Sequence, residues 1–261
     1  MRDRTLLFVV GTVVLLLAAE RVVRARPETP APAPPPPTSS TTLAGRTSAP
    51  PSHASVIPLR DVSGARDSRD AIAAAGDQSY LGRMFSETDS LLRRWDPSKT
   101  EGIRVAYVIS DLPGWTTAHQ NVVREGFGVW EQVGPAIHFT EVFDTAGADI
   151  IVRWVEKFDI DRAGQADLSW DHRGRITHVD MKLALLSPSG RILPPEKLKA
   201  IALHEIGHSV GLPHSDVPGD LMFPTADHPV LTGRDTTTYA LLYRLLPGSI
   251  KWAADSASPP R

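Results

Sequence analysis

The sequence of 261 residues contains no cysteine. Disulfide bonds, thiolate zinc sites, iron–sulfur clusters and cysteine nucleophiles are therefore excluded. Any transition metal in this chain must be held by histidine and carboxylate side chains. A charge excess is also lacking, because 28 lysines and arginines stand against 30 acidic residues. This balance gives no reason to expect a nucleic-acid partner.

The first 26 residues contain a long apolar run. Residues 5–19 include no charged side chain, and arginines stand on both sides of the run. Fifteen helical residues reach about 22 Å, which is less than the roughly 30 Å of a bilayer hydrocarbon core. Extension to Val23 almost closes this gap if the intervening charges reach the headgroups. We therefore predict export by residues 1–26, either as a single-pass membrane anchor, which we favour, or as a cleaved signal peptide of a secreted protein.

A linker and a tail flank the part of the chain that can fold. Residues 27–62 are rich in proline, serine and threonine, and ten of the 32 residues from 27 to 58 are proline. Such a stretch buries too little apolar surface to offset its ordering entropy, so we predict a disordered or polyproline II spacer. Residues 251–261 are predicted to be a disordered tail.

Hydrophobic periodicity predicts one α+β domain after the linker. Residues 63–99 are predicted to form a helical N-terminal segment, with a helix over 79–95, and residues 100–250 to form the main domain. A Thr-x-x-Gln capping box at Thr117 predicts the start of a second helix. The remaining predicted elements are strands over 103–109, 137–143 and 149–155, a hairpin of 168–170 with 176–185, and helices over 194–211 and 235–246.

The chemistry of the chain is concentrated in the pattern His-Glu-x-x-His-x-x-Gly-x-x-His, formed by His204, Glu205, His208, Gly211 and His214. On a helix, His204 and His208 lie one turn apart on one face, with Glu205 beside them. Gly211 can take a positive φ and end the helix, so that the chain turns back and His214 supplies a third nitrogen. Three neutral imidazoles leave a tetrahedral zinc with one open position for water, as in catalytic sites. Glu205 is better placed as a general base than as a fourth ligand.

A methionine follows the histidine pattern within the next ten residues. Residues 220–224 read Asp-Leu-Met-Phe-Pro, and Met222 stands where a methionine turn would lie beneath the metal. This position predicts a structural role for Met222.

These residues together resemble the metzincin signature, and the details resemble the matrixin-type zinc metalloproteases. Ser215 after the third histidine and Pro224 two residues after the methionine match the matrixin form. Residues 148–152 are similar to the family's central strand, and residues 177–180 to its last strand before the active-site helix. With the apolar N-terminal run and the proline-rich spacer, the chain most resembles bacterial exported matrixin-like proteins.

The resemblance covers about residues 103–246 and implies a fold and an activity. The fold implied over residues 100–250 is an α+β catalytic domain with a mixed twisted sheet, an active-site helix, a Met-turn and a C-terminal helix. The activity implied is that of a zinc metalloendopeptidase, in which Glu205 is the general base for a zinc-activated water. The partner would be a protein or peptide substrate that pairs with the sheet edge, and we expect a monomer.

Two other classes of function stay open at this point. One is a catalytically idle, membrane-tethered interaction module with a zinc-stabilised fold, against which the intact Glu205 argues. The other is a zinc hydrolase that acts on a non-peptide substrate.

The chain also departs from the family. Animal matrixins maintain latency with a pro-segment cysteine, which this sequence lacks. The apolar stripe of residues 79–95 predicts a helix that packs on the domain as an integral part, in preference to a mobile inhibitory arm. The family's structural zinc uses a His-x-Asp pair and two further histidines, whereas residues 158–161 read Phe-Asp-Ile-Asp and only His178 matches a ligand position. We therefore expect one catalytic zinc. Calcium binding has no motif to support it, although carboxylates are available at Asp159, Asp161 and Asp180. Four further histidines are interpreted as surface or satisfied side chains: His119, His138, His172 and His228.

Overall fold

A computed structural model describes residues 64–251, apart from residues 97, 100–101, 135–136 and 226–227. The apolar run, the linker up to residue 62 and residues 252–261 of the tail lie outside the described residues, so export and anchoring stay predictions. Within the described part, no helix combines the length and the apolar character needed to cross a membrane.

The described elements include helices and runs of successive strands, which confirms the α+β class. The helices are α1 (Ala65–Ala75), α2 (Met84–Glu87), α3 (Thr117–Val133), α4 (Pro195–Ser209) and α5 (Gly233–Arg244). The strands are β1 (Leu91–Leu92), β2 (Arg94–Trp95), β3 (Ile103–Tyr107), β4 (Phe139–Val142), β5 (Ile150–Val155), β6 (Gly164–Trp170), β7 (Arg175–Ala184) and β8 (Gly248–Ser249). Short 3-10 turns occupy Gly76–Gln78, Leu81–Arg83 and Thr145–Gly147.

A six-stranded mixed sheet is organised around β7. The antiparallel strand β6 pairs with one side of β7, and the parallel strands β5 and β2 pair with the other side. Parallel pairing continues from β5 to β3 and β4, while β1 and β8 form a separate two-stranded sheet. Val179, Met181 and Leu183 of β7 are fully buried, because alternate residues of a strand face the same side. The predicted hairpin is confirmed by the pairing of β6 with β7.

The predicted helix over 79–95 is wrong. Helical structure ends at Glu87, and Asp89 and Ser90 then adopt positive φ angles of 54° and 61°. Two successive left-handed residues cannot continue a right-handed helix. The chain runs on as β1 and β2, and β2 joins the main sheet through Trp95, which pairs with Ile176. The segment assigned to residues 63–99 therefore contributes an element of the main sheet.

Helix α3 begins at the predicted residue, but its cap lies one residue earlier. Thr116 is the N-cap, and its backbone N–H donates to Nδ1 of His119 at 3.0 Å. The predicted box with Thr117 as the cap and Gln120 as its partner is therefore shifted by one position. His119 replaces glutamine in the reciprocal hydrogen bond.

Helix α4 is held on two sides by buried indoles. The Nε1–H of Trp130 in α3 donates to the carbonyl oxygen of Leu203 at 2.9 Å. The Nε1–H of Trp95 in β2 donates to the carbonyl oxygen of Ser209, also at 2.9 Å. Carbonyls in the last turn of a helix lack partners within the helix, so Trp95 satisfies one of them. These contacts fix the helix that carries His204 and His208.

Candidate metal centre

Three imidazoles converge at the end of α4. His204 and His208 lie one turn apart on the helix, and His214 follows the turn after it. Their possible ligand atoms all lie within 4.8 Å of one another, and the Nε2 atoms of His208 and His214 are 3.2 Å apart. Among the described residues, this is the single group of three or more side chains that could hold a metal.

Gly211 returns the chain so that His214 reaches the other two imidazoles. Its φ is 101°, which lies in the region that side chains disfavour. Its N–H donates to the carbonyl oxygen of His208 at 2.8 Å, and a Cβ at this position would clash with the carbonyl oxygen of Arg93. The glycine is thus required both by its backbone conformation and by the close approach of the segment before β2.

Backbone carbonyls orient two of the three imidazoles. Nδ1 of His204 lies 2.8 Å from the carbonyl oxygen of Leu221, and Nδ1 of His208 lies 2.9 Å from that of Leu212. Because a carbonyl only accepts, each Nδ1 carries the proton and each Nε2 keeps its lone pair. Burial lowers the pKa of His204 to about 4 and the pKa of His208 well below its ordinary value. Both rings are therefore neutral near pH 7, which is the form that binds a metal.

Met222 packs directly under the histidine-bearing helix. The side chain is fully buried, and a Cβ at Gly207, between the two helical histidines, would clash with its sulfur. The carbonyl oxygen of Met222 accepts the N–H of Ser215 at 2.8 Å. The carboxylate of Asp235 in α5 accepts the N–H groups of Leu221 and Met222 at 3.0 and 3.3 Å. The methionine turn is therefore tied to the loop that carries His214 and to α5.

The carboxyl group of Glu205 lies against the first residue of β6. Glu205 is 7% exposed, and a Cβ at Gly164 would lie 2.5 Å from its Oε1, so the glycine leaves space for the carboxyl group. Burial raises the pKa of Glu205 to about 8, with Arg162 opposing the shift and Asp167 adding to it. Burial therefore makes this carboxyl group a stronger proton acceptor than an exposed glutamate.

The sequence model of the matrixin family matches residues 94–244, which is more than half of the chain. The chain belongs to the matrixin family. It is also 30% identical over 145 residues to Metalloendoproteinase 5-MMP of Arabidopsis thaliana. The aligned part is 50% of this chain and 39% of that protein, so the match spans less than half the length of that relative. The three histidines of this matrixin fit zinc, since imidazole nitrogens are common zinc ligands.

The carboxylates considered for a second metal in this matrixin do not come together. Asp180 on β7 pairs with Arg153 on β5 at 3.1 Å, and His178 stands opposite Ser169. Asp159 and Asp161 lie exposed in the loop after β5, and none of these residues joins a cluster of three ligands in the described ranges. Of the other histidines, His119 lies edge-on to Trp154, and three are exposed: His138, His172 and His228.

Sequence reasoning missed two carboxylates that support the matrixin site. Asp235 is fully buried and also accepts the hydroxyl of Tyr80 at 2.9 Å. The sequence pattern that could have indicated Asp235 is its capping box with Thr232. This box begins α5 two residues before the predicted start. Glu87 accepts the backbone N–H of His214 at 3.1 Å, and no local pattern indicates it because 127 residues separate the pair.

Proposed function

We propose that this matrixin is a zinc-dependent endopeptidase in which His204, His208 and His214 hold one catalytic zinc. The arrangement of the three imidazoles supports the proposal most directly. Two of them have Nδ1 committed to a carbonyl, and the ligand nitrogens of all three lie within 4.8 Å of one another. Three neutral nitrogen donors fit zinc and leave its fourth position open.

Glu205 is the general base in this proposal. A zinc ion held by these three imidazoles would act as a Lewis acid, which would polarise a peptide carbonyl and lower the pKa of water toward about 7. The Glu205 carboxylate accepts a proton from the attacking water and then donates it to the leaving amine of the peptide. Burial raises the pKa of Glu205 and so makes its carboxylate a stronger base, while the positive charge of a bound zinc would favour the ionised form that accepts the proton. Because Gly164 has no side chain, the carboxyl group of Glu205 fits against the backbone of β6.

The free edge of β6 is the proposed binding surface for an extended substrate. β6 pairs with β7 on one side, and no described strand pairs with its other side. Every residue of β6 is half-buried, so the edge offers both backbone groups and side-chain contacts. A peptide that adds to this edge as a strand passes Gly164 and therefore the carboxyl group of Glu205.

Proteolysis by the full chain, with and without a chelator, tests the function. We expect cleavage of casein and of a peptide library, loss of cleavage after chelation, and recovery when zinc is returned. A chain that binds zinc but cleaves neither substrate would instead be the idle interaction module. Cleavage of small esters or amides alone would indicate the non-peptide hydrolase.

We also expect one zinc per chain. Two carboxylates of the sheet form ion pairs with basic side chains: Asp180 lies 3.1 Å from Arg153, and Asp167 lies 3.3 Å from Lys182. A carboxylate neutralised in this way is a poorer ligand for a second ion. Metal analysis of extensively dialysed protein measures the ratio, and two tightly bound zincs would contradict the expectation.

A further inference from the structure

Residues that precede the family match contact the metal centre. Glu87 lies at the end of α2, seven residues before the matched region begins. Its Oε2 accepts the backbone N–H of His214 at 3.1 Å and lies 3.8 Å from Nδ1 of the same residue. The two side chains are 24% and 32% exposed, so this contact is partly shielded from solvent.

His214 differs from the other two histidines in the partner offered to its Nδ1. His204 and His208 each have a backbone carbonyl within 3.0 Å of Nδ1. The Nε2 of His214 faces that of His208, which leaves Nδ1 on the side of the Glu87 carboxylate. Metal-binding histidines usually donate the second N–H to a carboxylate or a carbonyl. A movement of about 1 Å shortens the 3.8 Å separation to a hydrogen bond.

We propose that Glu87 is a positioning residue of the zinc site, whose carboxylate accepts the Nδ1–H of His214 and holds the third ligand in its binding orientation. The inference rests on the proposed zinc site. It assigns to a segment outside the matched family region a part in building the metal centre. The segment is then an integral part of the catalytic domain.

The surroundings of Glu87 favour this role. Arg83 donates to Oε1 at 3.2 Å, so the guanidinium engages one carboxylate oxygen while the other faces His214. Fully buried Met84 anchors the same helical turn, and its carbonyl oxygen accepts the N–H of Thr88 at 3.1 Å. These contacts limit the positions open to the carboxylate.

The same segment is fixed to α5 at a second point. The hydroxyl groups of Ser79 and Thr238 lie 3.0 Å apart, and the hydroxyl of Tyr80 donates to Asp235 at 2.9 Å. Asp235 in turn accepts the N–H of Met222. The segment therefore contacts both the third histidine and Asp235, which supports the methionine turn. These contacts hold the segment that carries Glu87 in place.

Zinc binding by the apo form of the full chain tests the proposal. The affinity is measured by competition with a chromophoric chelator for wild type, Glu87→Gln and Glu87→Ala. We expect zinc affinity to fall 10–100-fold in Glu87→Ala, the range found when the partner of a ligand is removed. The zinc affinity of Glu87→Gln is expected to lie between those of wild type and Glu87→Ala, because the amide oxygen still accepts a hydrogen bond but carries no charge. Melting of the apo proteins should be nearly equal, since Glu87 is partly exposed.

A matched control separates positioning from general loss of an ion pair. Glu141 on β4 is exposed and pairs with Arg124 at 2.9 Å, so Glu141→Gln also breaks an arginine–carboxylate contact. We expect this control to bind zinc as wild type does. Should Glu87→Ala fail to fold, the glutamine variant decides the matter by its affinity relative to Glu141→Gln.

Three results would overturn the inference. Wild-type zinc affinity in Glu87→Ala would remove the positioning role, and the proposed function would stand. Activity several-fold above wild type in zinc-loaded Glu87→Ala would make Glu87 an inhibitory contact instead. Absence of zinc binding by the wild-type chain would overturn the proposed function and this inference together.

Discussion

Glu205→Gln is expected to lower the rate of peptide hydrolysis by roughly 10²–10⁴ while the protein keeps its zinc. Glutamine has nearly the volume of glutamate, so it fits the space that Gly164 leaves. The amide cannot accept the proton of the attacking water, which removes the proposed base. The ligands His204 and His208 keep their carbonyl partners, so metal binding is unaffected.

The measurement is kcat/KM on one peptide, made together with zinc analysis of the same sample. Glu196→Gln is the matched control, because Glu196 is exposed in the first turn of the same helix. We expect this control to retain wild-type activity and zinc. Near wild-type hydrolysis by zinc-loaded Glu205→Gln would exclude Glu205 as the base.

The features that the sequence predicted well depend on residues close together in the chain. The spacing of His204 and His208 is a property of any helix, and Gly211 marks the turn that returns His214. The hairpin of β6 and β7 follows from a short turn between two strands. In these cases the local pattern and the tertiary structure require the same conformation, so short-range reasoning is sufficient.

The error over residues 79–95 has a tertiary cause. Leu81, Met84 and Leu92 are at helical spacing, and all three are fully buried. The pattern therefore predicted correctly that these side chains are buried. They lie, however, on a 3-10 turn, on one turn of α2 and on the strand β1 and not on one helix. Pairing with β8 and β7 competes with helix formation here, and the partner strands lie far along the chain.

The extent of β6 was underestimated for a different reason. The apolar pattern indicated only residues 168–170, whereas the strand covers Gly164–Trp170. Each of its residues is half-buried at the edge of the sheet, so the first half carries no alternation of buried and exposed side chains. The supporting roles of Asp235 and Glu87 were not predicted, because their hydrogen-bond partners lie 13 and 127 residues away, respectively.

His208→Ala is expected to abolish both zinc binding and activity. Two imidazoles hold zinc weakly, so the loss of affinity should exceed the 10–100-fold that follows removal of a ligand's hydrogen-bond partner. The fold should survive, because α4 stays anchored by the indole bonds from Trp130 to Leu203 and from Trp95 to Ser209.

The measurements are the zinc content of purified His208→Ala and its circular dichroism spectrum, which reports whether the fold is kept. His172→Ala is the control. His172 is exposed in the turn between β6 and β7, so its removal should leave the metal and the rate unchanged. One tightly bound zinc in folded His208→Ala would remove this histidine from the ligand set. Because Glu205→Gln should be inactive with zinc and His208→Ala inactive without it, the pair separates the proton acceptor from the metal ligands within one turn of α4.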